Sequence, residues 1–406
     1  MASERIIAGL DIGTHTTQVV VAQKNDESDI IEVIGNFEMP SEGVRQGIIV
    51  DVDAASNMIR RAIEEVSKLA GKPVEDFFVS FGGVHIGAID NVGSIIVSRA
   101  DKVISQSEKD RVIQVARAIT LPPNREILDT IPLYYIVDQD QAVRDPLGMT
   151  GTKLELRTLI VHGLTPHTRN WERAITDAGI NTYGRVFTNI ASARSVLSKN
   201  QKELGAAVLD IGGKISGLTV FEEGDIIHTT ILPIGSSHIT NDIAIGLQVD
   251  IDTAEKIKVE YGSLQGDASK KTAIDLSSHG YDVKVVRKEL AHIVQKRLEE
   301  LFDMVNAELK KIGKERMLPG GVVLVGGGAK LIGIVDFAKK QLGLPVQVGY
   351  PKGVEGVSEK IDDPAYTTAV GLVLLGFDEI MRTQQGKGFS TKIFKKIGQS
   401  FKRLLP

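Results

Sequence analysis

Two short stretches carry residue types that suit phosphate binding: LDIGTHTT at 10–17 and LDIGGKIS at 209–216. Each ends an apolar run on an aspartate, Asp11 or Asp210, and then turns through small or polar residues. A tight turn of this kind can leave backbone N–H groups pointing at phosphate oxygens. The expected donors are Gly13, Thr14, His15 and Thr16 in the first turn, and Gly212, Gly213 and Lys214 in the second. The paired aspartates suit Mg²⁺ held largely through its own waters, because Mg²⁺ dehydrates reluctantly. A third stretch, VVLVGGGAKLIGI, reads as buried strand, glycine turn and helix. Without side chains, Gly326, Gly327 and Gly328 would let a flat base and ribose approach the backbone. Any one of these turns could be only a hairpin, and either aspartate only a local cap. The ordered trio points further, to ATP and Mg²⁺ clamped between two halves.

The elements that must hold these turns are also legible. AGLDIGTHTTQVVVA (8–22) and AVLDIGGKISGLTVF (207–221) share LDIG at the same point of a strand-turn-strand unit, so two halves of similar build are expected. Apolar spacing predicts a helix over 56–70, capped by Ser56 and stopped by Gly71 and Pro73. Residues 84–164 read as a small separate module, with short strands around one helix at 108–119 that LPPN ends. A helix at 168–178 follows. EEGD at 222–225 makes a hairpin turn, helical patterns cover 238–260 and 283–312, and a last apolar helix covers 364–381.

Composition is that of an ordinary globular chain long enough for several domains: 406 residues, net charge −4, 42% hydrophobic and 25% charged. The near-neutral balance argues against wholesale nucleic-acid binding. The chain has no cysteine, so disulfides and thiolate metal sites are excluded. No apolar run is long enough to span a membrane, and MASERIIAGLDIG is not a signal peptide, so a cytoplasmic location is expected. The scattered histidines form no metal or catalytic spacing.

The end of the chain, FSTKIFKKIGQSFKRLLP, departs from this pattern. On a helical wheel Phe389, Ile393, Phe394, Ile397, Phe401, Leu404 and Leu405 share one face spanning roughly 160°. Lys392, Lys395, Lys396, Lys402 and Arg403 take the other. A face of one charge sign beside an apolar face suits a helix lying in the plane of an anionic membrane, tethered by the flexible QQGKG. A helix for a partner protein is the other reading.

These features together resemble the FtsA family, bacterial cell-division homologues within the actin, heat-shock chaperone and sugar-kinase superfamily. The resemblance rests on the two DIG hairpins, IASARSVL, VLVGGGAKLIGI, the DPLGMTGTKLEL stretch, ILPIGSSHITNDIAIGL, AEKIKVEYG and DPAYTTAVGLVLLG. It implies an α/β actin-like ATPase fold, two similar halves around a nucleotide cleft, with an inserted small α+β subdomain, 1C. By this resemblance subdomain 1A is 1–83 with 165–196 and the last helix at about 361–383. Subdomain 1C is 84–164, 2A is 197–243 with 315–360, and 2B is 244–314. A linker at 384–388 and the amphipathic helix at 389–406 follow.

The resemblance also implies that Glu255 and Lys258 touch ribose and base, and it adds Gly235 to the nucleotide site. Arg297, with Lys288 beside it, would contact the C-terminal peptide of FtsZ. The implied function is an ATP-binding protein that forms actin-like filaments and tethers FtsZ filaments to the cytoplasmic face of the inner membrane at the division site. It would also recruit later division proteins. The alternatives on the same fold are a PilM-like pilus-assembly protein and a small-molecule kinase. Three departures matter. Lys214 and Ile215 stand where the family often has glycine and threonine. Thr188 and Asn189 stand where many relatives have Glu-Pro, and Gln18 stands where actins have lysine. They predict good nucleotide binding and slow hydrolysis at most.

Overall fold

The structure is a computed structural model that describes residues 4–25, 29–140, 142–264, 273–275, 284–356 and 361–384. The expected tail helix, with all of its apolar and basic residues, lies outside the described residues.

The internal echo is a duplicated sheet. In the first half Glu4–Ile12 pairs antiparallel with Thr16–Asn25, which pairs antiparallel with Ile31–Pro40. On its other side Glu4–Ile12 pairs parallel with Phe77–Phe81, which pairs parallel with Thr182–Phe187. In the second half Ala206–Ile211 pairs with Ser216–Glu222 and then Asp225–Leu232, all antiparallel. On its other side come the parallel strands Val322–Val325 and Val346–Val348. Five strands therefore run in the same order in both halves. The register places Asp11 opposite Gln18 and Asp210 opposite Gly217, at the same end of equivalent hairpins.

Both faces of the first sheet are buried. The helix Val52–Ala70 covers one face with Met58, Ile59, Ala62 and Val66. The last helix, Thr367–Gln384, covers the other with Ala369, Val370, Leu372, Val373 and Phe377. Its approach is close enough that a Cβ on Gly9 would stand 2.3 Å from the Ala369 carbonyl oxygen. The larger core of the second half gathers its sheet, Ile257 and the inward face of Arg287–Lys311, including Leu298, Phe302 and Val305.

Within 84–164 the strands Gly87–Ile96, Lys153–Leu164, Arg125–Val137 and Ala142–Val143 form a separate four-stranded sheet. The helix Gln106–Arg117 packs on it around Val112 and Ile113. A capping box of Ser105 and Glu108 starts that helix.

Several element boundaries differ from the sequence reading. The first helix begins four residues earlier than expected, because Asp51 rather than Ser56 accepts from the Ala54 amide as N-cap. The pattern over 238–260 is two helices, Ser236–Leu247 and Ile251–Tyr261. They are separated by a left-handed Gln248 (φ 55°) and an Asp250 cap. The glycine run opens a 3₁₀ turn, Gly327–Lys330, and the helix starts only at Ile334.

Candidate functional site

The two hairpin turns close with the same bond. The Gly13 amide donates to the Thr16 carbonyl at 3.1 Å, and the Gly212 amide to the Ile215 carbonyl at 3.0 Å. Those two N–H groups are therefore consumed by the turns and do not face a ligand, contrary to the sequence expectation. Among the described residues the amides of Thr14, His15, Gly213 and Lys214 have no protein acceptor. Thr14 Oγ1 accepts from the Gly47 amide at 2.9 Å, which anchors the small hairpin of Val44–Arg45 and Ile48–Ile49 to the first turn. The Ser236 and Ser237 amides donate to the Gly212 and Gly213 carbonyls at 2.8 and 2.7 Å, which docks the start of the helix Ser236–Leu247 on the second turn.

Between the turns lies a cleft of about 1010 Å³, open to solvent. Asp11, Gly13, Thr14, His15 and Thr16 line it from one half. Asp210, Gly212, Gly213, Glu255, Lys258, Gly326 and Gly327 line it from the other. One expected side chain and two expected glycines stand outside it. The Lys214 side chain is exposed and lines a neighbouring pocket. Gly235 is packed so closely on the second turn that a Cβ would stand 2.5 Å from the Gly213 carbonyl oxygen. A Cβ on Gly328 would stand 2.3 Å from Ile211 Cγ2.

The three glycines of VLVGGGAK thus do different work. Gly326 has φ 80°, and a Cβ there would lie 2.4 Å from Asp210 Oδ1. Only Gly327 has nothing within 4 Å of a built Cβ. Lys214 does not sit at positive φ, so its replacement of the family's usual glycine carries no backbone strain.

The two aspartates hold the electrostatic character of the cleft. Asp11 accepts from Ser80 Oγ at 2.7 Å, and Asp210 accepts from Thr368 Oγ1 at 3.4 Å. Burial raises Asp11 to about 6 against one hydrogen bond that lowers it. Burial, and then repulsion from Asp11, raises Asp210 to about 7. Among the described residues, neutral hydroxyls are the only side-chain hydrogen-bond partners of these carboxylates, and no protein cation pairs with their negative charge. A divalent cation fits that charge. No group of three or more His, Cys, Asp or Glu among the described residues could hold a metal. A cation there would accordingly need ligand oxygens and waters besides the two carboxylates.

Glu255 and Lys258 are not a solvated helix-face pair. Lys258 is only 8% exposed, and its Nζ donates to Glu255 Oε2 at 2.7 Å and Thr240 Oγ1 at 3.0 Å. Burial pushes Glu255 up, but the bonds from Lys258 and Thr240 outweigh it and hold the carboxyl low. The expected water-positioning groups, Thr188 and Asn189, line the cleft with their donors engaged. Asn189 Nδ2 donates to Thr229 Oγ1 and the Thr230 carbonyl, both at 3.0 Å, and Thr188 Oγ1 donates to the Phe81 carbonyl at 2.9 Å. Gln18 Nε2 donates to Glu38 at 2.7 Å.

Sequence reasoning missed Gly82, Gly83, Ser236, Ser237 and Thr368, which also line the cleft. A signal for the first two existed. FFVSFGG at 77–83 mirrors VVLVGGG at 322–328, a strand followed by glycines at equivalent places in the two sheets.

Away from the cleft, Arg297 is held by a bidentate pair with Asp242 (2.7 and 2.9 Å) and by Glu300 at 2.5 Å. It ties Arg287–Lys311 to Ser236–Leu247. Lys288 is exposed on the first turn of its helix.

Comparison with known proteins matches this architecture. The family model of Cell division protein FtsA matches residues 207–371, and the model of the SHS2 domain inserted in FtsA matches 83–162. The chain is 34% identical to Cell division protein FtsA of Pseudomonas aeruginosa, over 93% of this chain and 90% of that one. It is 33% identical to FtsA of Bacillus subtilis, over 92% and 84%. Among solved structures, the PilM-PilN type IV pilus biogenesis complex superposes with a TM-score of 0.67 at 17% identity, over 91% of this chain and 98% of that one. MreB5 of Spiroplasma citri bound to ADP superposes with 0.56 at 13%, over 94% and 98%. At those identities the structures speak for the fold alone. With a duplicated sheet around a cleft and relatives of this kind along nearly its whole length, the chain belongs to the FtsA family of cell-division proteins and has the actin-like ATPase fold.

Proposed function

We propose that the protein is a nucleotide-switched scaffold of cell division. ATP with Mg²⁺ enters the cleft. The amides of Thr14, His15, Gly213 and Lys214 take the phosphates, Asp11 and Asp210 hold the cation through its waters, and Gly327 admits the base or ribose. Glu255 and Lys258 border the same space. The observation that carries this reading is the matched pair of turns, each closed by the same hydrogen bond and each beside an uncompensated aspartate. A ligand that touches both halves stabilises their closed arrangement. Closure then sets the shape of a subunit that adds head to tail, and a heterologous contact that does not close on itself yields a filament.

The subdomain division expected from the sequence is part of the same reading, with 84–164 acting in subunit contacts. The segment 389–406 lies in the plane of an anionic membrane on its cytoplasmic face at the division site. Among the described residues no helix is long and apolar enough to cross a membrane. The C-terminal peptide of FtsZ docks on the side of Arg287–Lys311, and later division proteins follow. Because Asp242 already satisfies Arg297, an acidic peptide must displace that carboxylate or use exposed Lys288. Hydrolysis is slow, since neither Thr188 nor Asn189 is a general base and the donors of both are committed to protein partners.

A small-molecule kinase of this fold would need a base beside the acceptor hydroxyl. Asp11 and Asp210 serve the cation, and Glu255 is paired with Lys258. Calorimetric titration with ATP and Mg²⁺, beside phosphate-transfer assays on a panel of sugars and alcohols, tests the proposal. Micromolar ATP binding without transfer is expected. Absence of ATP binding, or transfer to an alcohol, would overturn it.

A further inference from the structure

Beside the cleft, and sharing Ser237 with it, lies a second pocket of about 420 Å³, open to solvent. Arg45, Gln46, Lys214, Ser237, His238 and Asn241 line it. Every one of these side chains can donate a hydrogen bond, and none is a carboxylate. Arg45 and Lys214 are exposed, and neither has an ion-pair partner among the described residues. They also come from opposite halves. Arg45 sits in the hairpin Val44–Arg45/Ile48–Ile49 of the first half, and Lys214 in the second turn of the other.

Each cation is tied to one of the turns that flank the cleft. Gly47, two residues after Arg45, donates to Thr14 Oγ1 of the first turn at 2.9 Å. Between them Gln46 takes the left-handed conformation (φ 51°), uncommon for a residue other than glycine, and its carbonyl accepts from the Val84 amide at 3.3 Å. Lys214 follows Gly213, whose carbonyl accepts from Ser237 at 2.7 Å. Movement of one turn toward the other therefore carries Arg45 and Lys214 together. Two like charges approaching at the mouth of a cleft repel unless an anion lies between them.

We propose that this pocket is a second anion site, for a free oxyanion of the size and charge of inorganic phosphate, that bridges the two halves at the rim of the cleft. Arg45 offers a planar fork suited to bidentate oxyanion binding, and Lys214 a point charge from the opposite side. Gln46, Ser237, His238 and Asn241 complete the donor set. The bound anion favours the closed arrangement, so it raises affinity for the nucleotide, and by reciprocity the nucleotide raises affinity for the anion. This coupling rests on the nucleotide reading above, whereas the anion site itself does not.

The test is titration of inorganic phosphate into the full chain, by calorimetry or ³¹P line broadening, both nucleotide-free and saturated with ADP and Mg²⁺. Saturable phosphate binding is expected in both states, tighter with ADP. The pair Arg45→Gln with Lys214→Gln should weaken it at least tenfold. The pair Arg45→Lys with Lys214→Arg should keep it within about threefold, which separates loss of charge from loss of fold. Absence of saturable phosphate binding, or phosphate binding indifferent to the Gln pair, would overturn the proposal. If ADP does not bind at all, the nucleotide reading fails, and the nucleotide-free titration still decides the anion site.

Discussion

Replacing Asp210 by asparagine should stabilise the ligand-free protein and damage its ligand response at the same time. The carboxyl is raised from 3.8 to about 7 by burial and by Asp11. Raising an acid in the folded state means the cost of ionisation is absent below about pH 4. The cost grows as pH rises toward 7 and is fully present above. A shift of about three units corresponds to about 4 kcal/mol at ~1.4 kcal/mol per unit. The half-buried carboxyl lines a cleft open to solvent, so screening reduces that to on the order of 1–2 kcal/mol. Asparagine keeps the shape and removes the charge. At a few degrees per kcal/mol, the ligand-free melting temperature should rise by about 2–5 °C at pH 8 and hardly at all at pH 4.5. Saturating Mg²⁺ and ATP should stabilise the wild type by about 2.7 kcal/mol at a hundredfold excess over Kd. In the variant most of that gain should vanish, because a carboxylate that holds the cation is gone. Differential scanning fluorimetry at the two pH values, with and without Mg²⁺ and ATP, reads all four corners. A variant that melts lower at pH 8 without ligand, or that keeps the full ligand shift, would refute the reasoning.

Gly326→Ala forces φ 80° on a Cβ that stands 2.4 Å from Asp210, so melting should fall by several degrees and nucleotide binding with it, whereas Gly327→Ala, with open space around it, should leave melting within about a degree and weaken binding only. ATP affinity with Mg²⁺ should fall as pH drops from 8 toward 5.5, because both raised carboxyls must lose their protons to take the cation; a flat calorimetric profile would contradict this. Steady-state phosphate release should run well below the ~10 s⁻¹ of a typical enzyme, and brisk turnover would show that Asn189 is not the limiting group. Phe394→Glu with Phe401→Glu should leave nucleotide affinity intact and release the protein from anionic vesicles, and binding of the wild type should weaken as salt rises; co-flotation of the double variant would rule out the tail as anchor.

What was legible in the sequence was local and repeated. LDIG occurs twice at the end of an apolar strand, and that alone located both aspartates and both turns. Which amide closes a turn is not written in composition. Gly13 and Gly212 were therefore expected to face the ligand, and the bond geometry assigns them to the turns instead. The helical pattern over 238–260 reads as continuous because the break at Gln248 uses a left-handed residue that is not glycine. Partners distant in sequence were the least accessible. Asp242 lies 55 residues from Arg297, and nothing near either residue announces the pair that fixes one helix to another. Gly82 and Gly83 could have been found by extending the repeat past the hairpins to the parallel strand that follows each of them.

On the proposed function, a nucleotide in the cleft sets the shape of a subunit that assembles on a membrane. Negative-stain electron microscopy of the full chain on anionic lipid, with Mg²⁺ and ATP and without nucleotide, tests it most directly. Filaments that lie on the lipid with ATP and are absent or sparse without it are predicted; no filaments with ATP, or the same filaments in both conditions, would contradict the account.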